Sequence, residues 1–128
     1  MGRIISVNQI SPWWIVEGLA TYQETRFTTG GRGRAPAAQM IIRMSILEDM
    51  FPKLGQMDGW ISDPPGGNLR YLFGQSFLQY IADHSSEDAW TRWTHSYGSW
   101  IPYLLPAKQV FGKNFQAFYK DWKAHLEN

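Results

Sequence analysis

The stretch that decides the fold runs from residue 12 to residue 24 and reads Pro12-Trp13-Trp14-Ile15-Val16-Glu17-Gly18-Leu19-Ala20-Thr21-Tyr22-Gln23-Glu24. It predicts one helix from about Pro12 to Arg26. Ser11 is a residue type that caps helix N-termini, and a proline in the first turn is tolerated because its missing N–H would have no partner there.

One face of this helix combines carboxylates with aromatic side chains. At about 3.6 residues per turn, Glu17, Thr21 and Glu24 share that face, and the residues bordering it are Trp13, Trp14 and Ala20. A buried carboxylate costs several kcal/mol unless a cation or strong hydrogen-bond donors compensate. Glu17 therefore needs a partner. A structural partner would be backbone amides or an arginine.

Length and composition favour one well-packed domain. The chain has 128 residues, of which 44% are hydrophobic, enough for one core and too few for two. Its net charge of +1 argues against nucleic acid as a partner, because too few basic residues cluster to displace phosphate counterions. The absence of cysteine excludes disulfides, thiolate metal sites and a cysteine nucleophile.

No membrane span or signal peptide is expected. No stretch approaches the roughly 20 apolar residues that cross a bilayer. The N-terminal Met1–Val7 is hydrophobic over too short a run for a signal peptide. Residues 1–11 are expected to form an N-terminal arm, for which a short strand and an extended segment fit equally well.

Four further helices are predicted from apolar repeats and from capping or stop residues. We expect them at about Pro36 to Phe51 (stopped by Pro52), Asn68 to Asp83, Ser85 to Gly98 (opened by a Ser85–Asp88 capping pair), and from Asn114 onward. The connections are a glycine-rich loop at 28–34, a long loop at 52–68 containing Trp60-Ile61, and a proline-rich connector at 99–106. The prediction is a single all-α domain over residues 1–128, with about five helices.

The helix from Asn68 has the clearest core stripe in the chain. The stripe consists of Leu69, Leu72, Phe73, Phe77, Tyr80 and Ile81. Tyr71 lies off this stripe, one turn before Gly74. A glycine beside a phenol lets either backbone or substrate come close.

The three histidines, His84, His95 and His125, are expected to be structural. No two of them lie four residues apart, as a metal-binding pair on one helix face would. A Gly-x-Ser-x-Gly nucleophile elbow is also absent. The candidates for a functional role are therefore the residues on the Glu17 face of the first helix and Tyr71.

Two segments resemble a known enzyme family. Residues 14–24 fit Trp-x-x-Glu-Gly-x-Ala-x-x-x-Glu, and residues 71–80 begin with Tyr-x-x-Gly. Both are similar to helices of the gluzincin zinc metallopeptidases, whose zinc is held by His-Glu-x-x-His and a downstream glutamate. Three further segments resemble the peptidase part of bacterial proteins in which a TolB-like β-propeller follows; they are Gly30–Arg34, Met40–Leu47 and Phe111–Phe115.

This resemblance implies roles for three residues. Glu17 would be the third zinc ligand, Tyr71 would donate a hydrogen bond to the oxyanion of the tetrahedral intermediate, and Glu24 would orient a histidine ligand. A carboxylate oxygen suits zinc, and a phenol can stabilise an oxyanion without carrying charge at neutral pH. The resemblance also implies zinc and a peptide substrate for the full-length parent protein, and export of that parent in bacteria.

The chain contains no His-Glu-x-x-His. Because a catalytic zinc site uses three protein ligands, we expect the chain to be the C-terminal helical part of such a catalytic domain. Alone, it is expected to bind no zinc and to show no peptidase activity.

A competing interpretation is a non-catalytic helical interaction module. In it, Glu17 pairs with Arg26, Arg43 or Arg70, and Tyr71 is structural. Self-association through exposed apolar surface is a further expectation.

Overall fold

A computed structural model of the chain describes residues 12–57, 69–95 and 104–128. These ranges contain six α-helices and no β-strand. The helices are α1 (Trp13–Phe27), α2 (Pro36–Leu47), α3 (Leu69–Asp83), α4 (Ala89–His95), α5 (Leu104–Phe111) and α6 (Phe115–Glu127). Short 3₁₀ turns lie at Arg32–Arg34 and Leu54–Gln56. The all-α prediction is confirmed, whereas the N-terminal arm and Trp60-Ile61 lie outside the described residues. None of the helices in the described ranges is long and apolar enough to cross a lipid bilayer.

Helix α1 forms where the sequence predicted it. Pro12 occupies the N-cap position, and its carbonyl accepts hydrogen bonds from the amides of Ile15 at 3.0 Å and Val16 at 3.3 Å. The expected cap, Ser11, lies outside the described residues. The helix ends at Phe27, one residue later than predicted.

Helix α2 ends four residues earlier than predicted, and Pro52 is not what stops it. After Leu47 the chain enters a left-handed conformation at Asp49, whose φ is 54°. The amide of Met50 then bonds to the Ser45 carbonyl at 2.7 Å, and that of Asp49 to the Ile46 carbonyl at 3.2 Å. This pair of bonds is the Schellman motif, which satisfies the last carbonyls of a helix. The sequence does not predict this motif, because aspartate, unlike glycine, is not typical of the left-handed conformation.

Replacing Asp49 with glycine is expected to stabilise the protein by about 0.5–1 kcal/mol. Glycine adopts positive φ without the steric cost that an L side chain meets there, and this gain outweighs its greater freedom in the unfolded chain. Urea unfolding of both proteins measures the change. Asp49→Ala is the matched control and should be less stable than the parent.

The predicted start of α4 is wrong. Helix α4 begins at Ala89, and the expected Ser85–Asp88 capping pair does not form. The buried Ser85 hydroxyl has no hydrogen-bond partner among the described residues. A hydrogen bond from Ser86 lowers the pKa of Asp88, and the neighbouring Arg92, 3.2 Å away, lowers it as well. The Gly98 stop lies outside the described residues.

Helix α5 replaces part of what was predicted to be a proline-rich connector. It begins at Leu104, so Pro106 falls in its first turn, where the missing N–H breaks no intrahelical bond. Helix α6 begins where predicted: the Asn114 side chain caps it by accepting a hydrogen bond from the Ala117 amide at 2.8 Å.

The core is built around α3. Phe73, Phe77 and Ile81 of its predicted stripe are fully buried, and Leu72 and Tyr80 pack at the edge of the core. The side chain of Leu69, also predicted to be in the core, is not described. Aromatic rings from other helices close around the stripe, and the pairs are Phe77–Trp122 with centroids 4.9 Å apart, Trp14–Phe77 at 5.3 Å and Phe51–Phe73 at 5.5 Å. The opposite side of α3 is buried as well, because α1 packs on Gly74 and Leu78 and the glycine-rich loop packs on Gln75.

Tyr119 ties the segment after α2 to α6. Its hydroxyl donates a hydrogen bond to the Pro52 carbonyl at 2.7 Å. Burial, together with the charge of Glu127, raises the pKa of Tyr119 above its usual value. The unfolded chain then ionises this phenol at lower pH than the folded one, so its contribution to stability is present at neutral pH and lost as pH rises above about 10.

Tyr119→Phe is expected to cost about 1 kcal/mol at neutral pH, because the hydrogen bond to Pro52 is lost. The variant should also lose less stability than the parent protein between about pH 7 and pH 11. Denaturant unfolding at both pH values measures the two effects. Equal loss of stability in the two proteins at alkaline pH would contradict the role given to this hydroxyl.

Candidate functional site

Helices α1 and α3 touch backbone to backbone at a pair of glycines. A Cβ placed on Gly74 would lie 2.6 Å from the Trp14 carbonyl oxygen and 3.1 Å from the Gly18 Cα. A Cβ on Gly18 would lie 2.7 Å from the Gly74 carbonyl carbon. The glycine at position 74 therefore allows the backbone of α1 to come close, which is one of the two roles predicted for it.

This crossing brings together the two segments that resemble the gluzincins. Glu17 directly precedes Gly18, and Tyr71 lies one helical turn before Gly74. From the Gly18–Gly74 contact and standard backbone dimensions, the Cα atoms of Glu17 and Tyr71 can be no more than about 14 Å apart. Both side chains are half-buried.

Threonine side chains bond back to the helix along the glutamate face of α1. The hydroxyl of Thr21 donates to the Glu17 carbonyl at 2.9 Å, that of Thr25 to the Thr21 carbonyl at 2.8 Å, and that of Thr28 to the Glu24 carbonyl at 2.7 Å. These bonds join threonine hydroxyls to backbone carbonyls and do not involve the carboxylate groups of Glu17 and Glu24. Glu24, which was predicted to share this face with Glu17, is half-buried.

None of the arginines whose side chains are described forms an ion pair with Glu17. Arg26 instead forms an ion pair with Glu87, in which Nη2 and Oε1 are 3.8 Å apart and both side chains are exposed. Arg43 is exposed on α2, and the side chain of Arg70 is not described. Neither Arg26 nor Arg43 therefore pairs with Glu17, as the interaction-module interpretation requires of one of the arginines.

The described residues do not make a zinc site by themselves. No group of three or more His, Asp or Glu side chains in the described ranges could hold a metal ion. Glu17 can offer one carboxylate, whereas a catalytic zinc needs three protein ligands.

Two histidines lie closer together than their positions in the sequence indicate. His84 follows α3 and His125 lies in α6, and their ring centroids are 6.3 Å apart beside Tyr80. His84 Nδ1 lies 2.8 Å from the Tyr80 carbonyl oxygen, a contact that fits the expected structural role. No local pattern could have revealed this pair, because it depends on how α3 packs against α6. The side chain of His95 is not described.

The glycine-rich loop is fastened to α1. The amide of Gly33 donates to Thr25 Oγ1 at 3.1 Å, and the Arg34 guanidinium donates to the Thr28 carbonyl. A Cβ on Gly31 would lie 2.2 Å from the Thr25 Cα, so only glycine fits there. Arg34 and the close approach of Gly31 therefore position this loop on α1.

A cleft of about 550 Å³ opens between this loop, the C-terminal half of α1, α3 and α6. Its polar lining includes Arg26, Arg34, Gln75, Asp83 and His125. Neither Glu17 nor Tyr71 lines it. No sequence pattern predicts this cleft, because its lining comes from five separate segments, including Gln39 of α2.

No family model, curated protein or solved structure matches the chain.

Proposed function

We propose that this chain is the C-terminal helical part of a gluzincin-type zinc metallopeptidase. In this proposal Glu17 supplies one zinc ligand and Tyr71 hydrogen-bonds the oxyanion formed on peptide hydrolysis. The two histidine ligands and the general base come from residues that this chain does not contain. The observation that carries the proposal is the Gly18–Gly74 contact, which limits the separation of Glu17 and Tyr71.

The environment of Glu17 supports this role. A half-buried carboxylate with no arginine partner among the described side chains remains free to coordinate a cation. Glu24 lies on the same helical face and is proposed to orient a histidine ligand, as such outer carboxylates do. The phenol of Tyr71 is a neutral donor, which suits charge that develops only in the transition state.

The chain alone is expected to bind no zinc tightly, because one carboxylate is too few ligands. Calorimetric titration of the purified chain with zinc should show no site of micromolar or tighter affinity. A single tight site would contradict the assignment of the remaining ligands to residues outside the chain.

A positive test adds the missing ligands separately. A synthetic helix containing His-Glu-x-x-His is titrated with zinc in the presence and absence of the chain. The chain is expected to tighten zinc binding by about tenfold or more, because a third ligand is added. Glu17→Gln should remove the gain, and Glu48→Gln on the exposed end of α2 should keep it. Equal affinity with the parent chain and with Glu17→Gln would overturn the proposed ligand.

A second candidate function, a helical interaction module, is favoured by one surface. Three apolar side chains on α2 lie at i, i+4 and i+7 and are exposed, with Met40 at 61%, Met44 at 46% and Leu47 at 69%. Contiguous exposed apolar side chains mark interaction surfaces. Sedimentation at high concentration tests self-association. Met44→Glu should shift an oligomer to monomer, and the exposed Ala37→Glu should not; monomer throughout would count against this function.

A further inference from the structure

The cleft between α1, the glycine-rich loop, α3 and α6 has the size of a ligand site. Its volume of about 550 Å³ falls within the range of small-molecule pockets. Because neither Glu17 nor Tyr71 lines it, what it binds is independent of the proposed zinc chemistry.

The floor of the cleft carries a polar group that the described part of the chain leaves unused. Gln75 is only 6% exposed, and its carboxamide makes no hydrogen bond with any described residue. The side chain is held against the loop, where a Cβ on Gly33 would lie 2.5 Å from its Cδ. On the cleft side its carboxamide offers donor N–H groups and an acceptor oxygen, which suits a ligand that has both a donor and an acceptor. A peptide group has that pair.

The rim of the cleft favours an anion. Arg34 uses Nη1 on the Thr28 carbonyl, which leaves further N–H groups of its guanidinium available. Arg26 is held only loosely, 3.8 Å from Glu87. The lining has one carboxylate, Asp83, against these two arginines, so its balance of charge is positive. Arginine is the residue that best binds carboxylates, because its planar fork matches them.

Aromatic residues complete the lining. Tyr22 and Trp122 are almost fully buried, and Tyr80 is half-buried beside them. An apolar group entering the cleft would therefore meet ring surface chiefly at the half-buried Tyr80.

From these groups we propose that the cleft binds the C-terminal end of a peptide. Arg34 holds the terminal carboxylate, the Gln75 carboxamide pairs with the last peptide group, and the terminal side chain packs on the aromatic residues. The smallest ligand with these features is an N-acylated amino acid.

The test is an NMR titration of the full chain labelled with ¹⁵N, using N-acetyl-phenylalanine as the probe. Saturable shifts are expected at the Gln75 side-chain NH₂ and the Trp122 indole N–H. The methyl ester of the probe, which lacks the carboxylate, should bind about tenfold or more weakly, the usual effect of losing a charge-assisted hydrogen bond.

Variants locate the binding groups. Arg34→Gln and Gln75→Leu should each weaken binding of the acid by about tenfold. The control Arg92→Gln alters an exposed arginine that pairs with Asp88 outside the cleft, and it should change nothing. The proposal is overturned if the acid gives no saturable shifts, if acid and ester bind equally, or if either variant binds like the parent. Inorganic phosphate that shifts the same signals with equal affinity would also overturn it, because the cleft would then be a simple anion site.

Discussion

Gly74→Ala is expected to destabilise the protein by about 2 kcal/mol or more. The added methyl group would lie 2.6 Å from the Trp14 carbonyl oxygen, which belongs to helix backbone and cannot rotate away. Overpacking of this kind typically costs about 1–3 kcal/mol, and here α1 and α3 would have to move apart. The better helix propensity of alanine, worth about 1 kcal/mol, offsets only part of the cost.

Urea unfolding of the parent and the variant measures this loss. Gly30→Ala is the matched control, since a Cβ at Gly30 would meet nothing within 4 Å, and its effect should stay within about 0.5 kcal/mol. If the two variants have the same stability, the close contact between α1 and α3 is not present in solution.

Trp122→Ala is expected to have the largest effect of any single change, a loss of about 3–5 kcal/mol. The side chain is 1% exposed and holds α6 on the core. Its ring stacks on Phe77 at 4.9 Å and meets Phe51 at 5.0 Å, so truncation would leave a cavity between α3, α6 and the segment after α2. A loss of this size approaches the whole stability of many small domains.

Thermal unfolding followed by circular dichroism would show this loss as a large drop in Tm or as a chain that does not fold. Trp13→Ala is the control, because Trp13 is 54% exposed on α1, and it should cost about 1 kcal/mol or less. A similar cost for the two tryptophans would contradict the packing described for α6.

The sequence predicted helices best where the apolar repeat was long and the ends were marked. Helix α6 has both, an Asn114 cap and the buried Phe115, Phe118 and Trp122. Helix α3 was equally clear, yet the burial of its second side could not be read from the sequence. Gly74 and Gln75 are not apolar core residues; α1 covers Gly74, and the glycine-rich loop at Gly33 covers Gln75.

Errors occurred where the structure depends on backbone conformation or on distant contacts. Asp49 ends α2 through a positive φ that its residue type does not require. Helix α5 is not predicted because a proline such as Pro106 is typical of a connector, whereas here it occupies a first turn. The cleft lined by Gln75 and the His84–His125 pair arise only from tertiary packing.

Glu17 and Tyr71 are candidate residues because their segments resemble those of the gluzincins, and their roles stay predictions. Helical periodicity alone predicted that Glu17 and Glu24 share a face. The meeting of α1 with α3 at Gly18 and Gly74 could not be predicted from periodicity, because it requires knowing which helices pack together.

The proposed function requires Glu17 and Tyr71 to lie close together, and a measurement of the distance between them tests this directly. The chain has no cysteine, so Glu17→Cys and Tyr71→Cys together allow two nitroxide labels at chosen positions. With Cα atoms no more than about 14 Å apart, the doubly labelled protein should show clear dipolar broadening in its electron paramagnetic resonance spectrum. A spectrum equal to the sum of the two singly labelled proteins would place the residues far apart and contradict the proposal.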